Sequence, residues 1–138
     1  MPARDIYHDL VKRALIKEGW TITHDPYPLK FGDEDLYVDL GAEAPMAAEL
    51  NGRKIAVEVK SFVGRSPMTD LERALGQFSL YGFLIEREDP ARKLYLAIRA
   101  DVHLAVFDPA PARDLIAARD IRLIVFDSEQ EVITRWIE

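Results

Sequence analysis

Cysteine is absent from all 138 residues. The chain therefore has no disulfide framework and no thiolate metal site. No run of about 18 apolar residues occurs, so no membrane-spanning helix is expected. The start, Met1-Pro2-Ala3-Arg4-Asp5, lacks the apolar core of a secretory leader. A soluble cytoplasmic protein is the expectation. A basic excess is missing too: 18 Lys and Arg face 24 Asp and Glu, a net charge of −6. That argues against gripping DNA by a broad basic surface, because phosphate neutralisation dominates such affinity. Local basic patches, or a partner that supplies the charge, stay open. There is no Walker-type phosphate loop, no dinucleotide fingerprint, no His-x-x-x-His zinc helix and no Gly-x-Ser-x-Gly elbow.

What is present is enough apolar sequence, 49%, to build one full core. No linker or repeat divides the chain, and a single domain over 1–138 is expected. Ile6, Leu10, Val11, Ala14 and Leu15 recur at helical spacing, predicting a helix over 6–18 with Asp5 as N-cap and Gly19 after its end. Residues 20–24 alternate as a strand. Tyr27 to Asp35, with Pro28 and Gly32, reads as a loop. Leu36 to Leu40 reads as a second strand, broken by Gly41 to Pro45. Met46 to Leu50, then Asn51-Gly52, then Arg53 to Lys60 reads as a two-residue hairpin. Thr69 and Glu72 fit a capping box for a helix reaching about Glu88. A strand over 93–99, short helices over 102–107 and 112–118, and closing strands over 121–126 and 132–137 follow. The order α-β-β-β-α-β-α-β-β predicts an α/β fold, a mixed sheet with helices on its faces.

The chemistry centres on Ala56-Val57-Glu58-Val59-Lys60 and on Asp39. Alternation places Ile55, Val57 and Val59 on one strand face and Glu58 and Lys60 on the other. A carboxylate and an ammonium in an apolar strand are costly to bury unless paired or used. With Asp39 added, the set has the parts of a metal-dependent phosphodiesterase. Two carboxylates can hold Mg²⁺, and a lysine can sit beside an attacking water. The plainer alternatives are a turn-forming Asp39 before Gly41 and an exposed Glu58–Lys60 ion pair.

These residues also carry a resemblance. Asp39, Glu58-Val59-Lys60 and a following helix with Gln77 look like the PD-(D/E)XK, restriction-endonuclease-like superfamily. More specifically, the whole chain resembles the XisH family, named for an excision-controlling factor of the cyanobacterial fdxN element. The carrying stretches are Asp5-Ile6-Tyr7-His8, residues 19–26, residues 35–43, Ile55 to Phe62, Arg73-Ala74-Leu75-Gly76-Gln77, and the tail from Leu123 to Ile137. The resemblance implies an α-β-β-β-α-β core followed by short helices and two strands. It implies Mg²⁺ or Mn²⁺ on Asp39, Glu58 and the Val59 carbonyl, with Lys60 and Gln77 beside the reacting phosphate. It further implies metal-dependent cleavage of DNA, a role in excising a DNA element during differentiation, and a small partner protein, XisI. A nuclease-like scaffold acting only through that partner is the alternative. The chain departs from the superfamily pattern twice. His8 stands where a first-helix glutamate is often found, with Asp5 and Asp9 nearby, and Val38 replaces the proline before the first acid.

Other residues carry ordinary alternatives. His8 and Asp5 are possible additional ligands; His8 can also contact DNA, or else only cap the helix start or pair with Asp5, itself the N-cap candidate. Gln77 can bond water, phosphate or Lys60, or simply be a partly exposed helix residue. Tyr81, one turn on, reads as core. His24 reads as structural and His103 as exposed. Glu43 and Glu49 read as solvated edge charges, with a second metal as the alternative. Arg4, Lys12, Arg13, Arg65 and Arg73 can form a phosphate-facing rim or an ordinary solvated face. Trp20 and Trp136 read as packing residues. The Trp136-Ile137 tail and open sheet edges are compatible with a homodimer or a partner contact.

Overall fold

The computed structural model describes residues 5–44 and 52–138. Its elements are α1 (His8–Lys17), β1 (Thr21–His24), β2 (Tyr27–Phe31), β3 (Glu34–Val38), β4 (Leu40–Ala44), β5 (Arg53–Val59), α2 (Pro67–Glu88), β6 (Arg92–Arg99), α3 (Ala100–Val102), a π-helical turn (His103–Phe107), α4 (Ala110–Ala118), β7 (Leu123–Asp127) and β8 (Val132–Ile137). Six strands form one mixed sheet in the order β1-β4-β5-β6-β7-β8, and β2 and β3 form a separate two-stranded ribbon. β4 runs antiparallel to β1 and β5, β5-β6-β7 are parallel, and β8 returns antiparallel. The parallel steps need crossovers, which α2 and the α3–α4 segment provide.

Helices cover both faces, as parallel strands demand. Leu10, Val11 and Leu15 of α1 pack on Leu40, Ile55, Val57, Val59, Tyr95 and Phe126. On the opposite face α2 contributes Leu71 and Ala74 to one cluster with Leu96 and Ile98. It contributes Tyr81, Leu84 and Ile85 to another with Ala56, Leu94 and the ribbon residues Tyr27, Leu29 and Val38. The two tryptophans do pack: Trp20 is buried and its ring stacks on Trp136 at 5.7 Å.

Several expectations need correction. Tyr27 to Asp35 is mostly strand, because Tyr27 and Leu29 are buried and Gly32, at φ +59°, opens a two-residue turn between Phe31 and Glu34. Pro28 is tolerated because the ribbon is only two strands wide. Gly41 to Ala44 continues as β4 rather than breaking a strand, and Asp39 lies at the bend between β3 and β4. Met46 to Leu50 and Asn51 lie outside the described residues; the strand paired with β5 is Leu40–Ala44, with Ala44 opposite Arg53. The α2 cap is Ser66, whose Oγ accepts from the Thr69 N–H at 3.2 Å, with Pro67 in the first turn. Asp5 acts two residues before the N-cap Tyr7, accepting from the Tyr7 N–H at 2.9 Å. His103 is buried, and burial is the main cause that pulls its pKa below the usual histidine value.

Candidate functional site

The end of β5 brings the predicted residues together. Glu58 is the penultimate residue of β5 and points to the α2 side of the sheet, where it is 6% exposed. The bend at Asp39 lies beside it because Leu40, the first residue of β4, pairs with Val57. Each acid then accepts from a backbone N–H at or beside the other. The Asp39 N–H donates to Glu58 Oε1 at 3.1 Å, and the Val59 N–H donates to Asp39 Oδ2 at 2.7 Å. Lys60 leaves the strand with its N–H bonded to the Ala97 carbonyl at 3.0 Å, and its Nζ lies 3.4 Å from Glu58 Oε2. The pair is therefore not an exposed cross-strand contact: one member is buried, and Lys60 is three-quarters covered.

This proximity has an electrostatic consequence. Burial raises the Glu58 pKa from 4.5 to about 8, the Asp39 charge adds to the shift, and Lys60 opposes it. Two carboxylates in a covered pocket call for a proton or a cation to balance them.

The helices close the site from both sides. From α2, Gln77 and Tyr81 approach one turn apart. The Tyr81 pKa is raised by burial first and then by the Glu58 and Asp39 charges, while the neighbouring Gln77 side chain opposes the shift. Gln77 Oε1 is buried without a hydrogen-bond partner. Tyr81, expected only as core, is thus both core and wall of the site. Its position four residues after Gln77 was the available signal. From α1, His8 is buried and its Nδ1 lies 3.8 Å from Asp39 Oδ1. Its Nε2 is 2.7 Å from Asp25 Oδ1, and Asp25 Oδ2 accepts from Lys12 Nζ at 2.7 Å. Burial pushes the Asp25 pKa up, but the Lys12 and His8 hydrogen bonds outweigh it and the net shift is downward. Asp25 was not anticipated as a site residue, since its partner lies 17 positions away.

Asp5 reaches the site's rim rather than its centre. Its Oδ2 accepts from the Ser61 N–H at 2.9 Å, tying the start of α1 to the segment after β5. Asp5, Lys60, Ser61 and Arg73 line one cavity of about 200 Å³. Other predicted charges are engaged elsewhere. Arg13 forks onto Glu131 at 2.9 Å, Lys12 holds Asp25, and Glu43 lies 3.6 Å from buried Arg92. His24 lies edge-on to Tyr27. Arg4 and Glu49 lie outside the described residues. Among the described residues, no three His, Cys, Asp or Glu side chains are gathered ready to hold a metal ion.

The fold and site define an α/β protein with a helix-flanked mixed sheet and a buried acidic pair, with lysine, at the end of a central strand. The family model described as XisH protein matches residues 1–134, and the chain belongs to this family. A crystal structure of an XisH family protein from Nostoc punctiforme is 38% identical. It matches with a TM-score of 0.87, covering 97% of this chain and 100% of that one. A crystal structure of an fdxN element excision controlling factor protein from Anabaena variabilis is also 38% identical. Its TM-score is 0.86, with coverage of 98% of this chain and 100% of that one. No curated protein matches the chain. No helix among the described residues is long and apolar enough to cross a membrane.

Proposed function

We propose that this chain controls excision of a DNA element and hydrolyses DNA phosphodiester bonds at Asp39, Glu58 and Lys60, with Mg²⁺ or Mn²⁺ as cofactor. The observation that carries the reading is the mutual clasp of Asp39 and Glu58, which holds two carboxylates and an ammonium in one covered site. The connectivity supports a restriction-endonuclease-like core. With the β2–β3 ribbon set aside as an insertion, the main-sheet order through β6 is α-β-β-β-α-β. The Anabaena relative's description supports the excision role.

The donor set fits a hard divalent cation. Asp39, Glu58 and the Val59 carbonyl supply oxygens, and Glu58 is held in a form that a cation would relieve. Such a cation would supply Lewis-acid stabilisation of charge on the phosphoryl oxygens. The chain's own groups do the rest. Lys60 Nζ orients the attacking water or donates to the phosphoryl group. Water adds to phosphorus in line as the 3′ oxygen leaves. Gln77, with its free buried oxygen, positions water beside Lys60.

The test is cleavage of plasmid, single-stranded and branched DNA with Mn²⁺. Lys60→Ala is expected to slow cutting about 10²–10³-fold, the usual loss for a charge-stabilising donor. Equal rates for the two proteins, or no cutting of any substrate, contradicts the reading.

A second reading, a non-cleaving scaffold that acts through a XisI-type protein in the cytoplasm, is favoured by the lack of a preassembled three-ligand cluster among the described residues. It predicts that such a partner co-purifies equally well with Lys60→Ala. No complex at micromolar concentration counts against it.

A further inference from the structure

We propose that Asp25 is a positioning residue that holds His8 as a nitrogen ligand facing Asp39, so that the site binds a transition-metal ion such as Mn²⁺ in preference to Mg²⁺. This rests on reading the Asp39–Glu58 pair as a metal site.

The arrangement of hydrogens follows from the partners. The Asp25 carboxylate accepts from Lys12 and can only accept from His8, so His8 Nε2 carries the hydrogen of their 2.7 Å bond. Nδ1 is buried and has no hydrogen-bond partner. A hydrogen there would be an unpaired buried donor, which is costly; Nδ1 therefore presents its lone pair. That lone pair faces Asp39 Oδ1 at 3.8 Å, too far for a hydrogen bond. Two electron-pair donors facing each other across a buried gap repel unless something positive lies between them. Two ligands at roughly 2.0–2.2 Å from one ion lie at most about 4.4 Å apart, and the 3.8 Å separation falls within that span.

A carboxylate that orients a histidine through its other ring nitrogen is the usual support of a metal-binding imidazole. Lys12 fixes Asp25 in turn, so the arm runs from the exposed face of α1 through the chain before Pro26 to the site. Nitrogen donors favour transition metals over Mg²⁺, which prefers oxygen and gives up water reluctantly.

The test uses Mn²⁺ as probe on the full chain. Binding is followed by loss of the free-Mn²⁺ electron spin resonance signal, and ligand identity by ¹⁴N modulation in the electron spin echo. Wild type is expected to bind Mn²⁺ with ¹⁴N modulation that His8→Ala abolishes. Asp25→Asn is expected to weaken Mn²⁺ binding about 10–100-fold while changing Mg²⁺ competition less. Melting of each metal-free variant checks that it folds; if Asp25→Asn does not, the wild-type and His8→Ala echoes still decide. Bound Mn²⁺ without ¹⁴N modulation, or modulation that survives His8→Ala, overturns this inference while leaving the Asp39–Glu58 site standing. Unchanged affinity in folded Asp25→Asn overturns the positioning role. No Mn²⁺ binding by wild type removes both this inference and the metal reading beneath it.

Discussion

Glu58 is where the energetics of this protein are most exposed to experiment. In the unfolded chain its carboxyl ionises near 4.5, and in the folded chain near 8. Between those values the folded state keeps a proton that the unfolded state has lost. Stability of the metal-free protein therefore falls as pH rises from about 5 to 8, and levels off above. Glu58→Gln should flatten that slope and be relatively more stable at pH 8 than wild type. Denaturant midpoints at several pH values check it; an unchanged slope in the variant contradicts the assignment. The residue was legible because alternation along 55–59 left an acid facing away from the Ile55-Val57-Val59 stripe. Its second partner, Asp39, was legible as a residue type but misplaced, on a strand instead of a bend. Asp25 was not legible as a site residue. Nothing local marks it, and its meaning comes from a contact across α1 and β1.

At the level of elements, α2 does most to shape the site, since it brings Tyr81 within the electrostatic reach of Glu58 and Asp39. Its start depends on Ser66, the residue that satisfies the Thr69 N–H. Ser66→Ala should cost about 0.5–2 kcal/mol, read as a shift of the urea midpoint without a change in slope. A shift below a few tenths of a kcal/mol would show that Pro67 and packing set the helix start. The Thr69–Glu72 spacing matched a capping box, but Ser66-Pro67 just upstream is the stronger start: proline at the first helical position and an oxygen before it. The β2–β3 ribbon was missed because Pro28 and Gly32 read as loop punctuation. Burial of Tyr27 and Leu29 against α2 outweighs that local preference. The strands β5, β6, β7 and β8 and helices α1, α2 and α4 follow hydrophobic periods strong enough to read directly.

For the whole molecule, the acidic balance bears on the proposed encounter with DNA. With a net charge of −6, and with Lys12 and Arg13 engaged by Asp25 and Glu131, the molecule as a whole repels rather than attracts a polyanion. Binding to a random duplex at physiological salt should fall at the weak end of the non-specific range, about 10⁻⁴ M. Fluorescence anisotropy checks this, and submicromolar affinity for random sequence contradicts it. Family membership was legible because the matching stretches run along the chain. What the site does was not, because a residue pattern shows which side chains are present and not what they bind.

The most direct test of the account is a Mn²⁺ soak of crystals with data collected at the manganese edge. An anomalous peak between the Asp39 and Glu58 carboxylates is the predicted result. No peak there, or manganese bound only elsewhere on the surface, contradicts the claim that these two acids form a metal site.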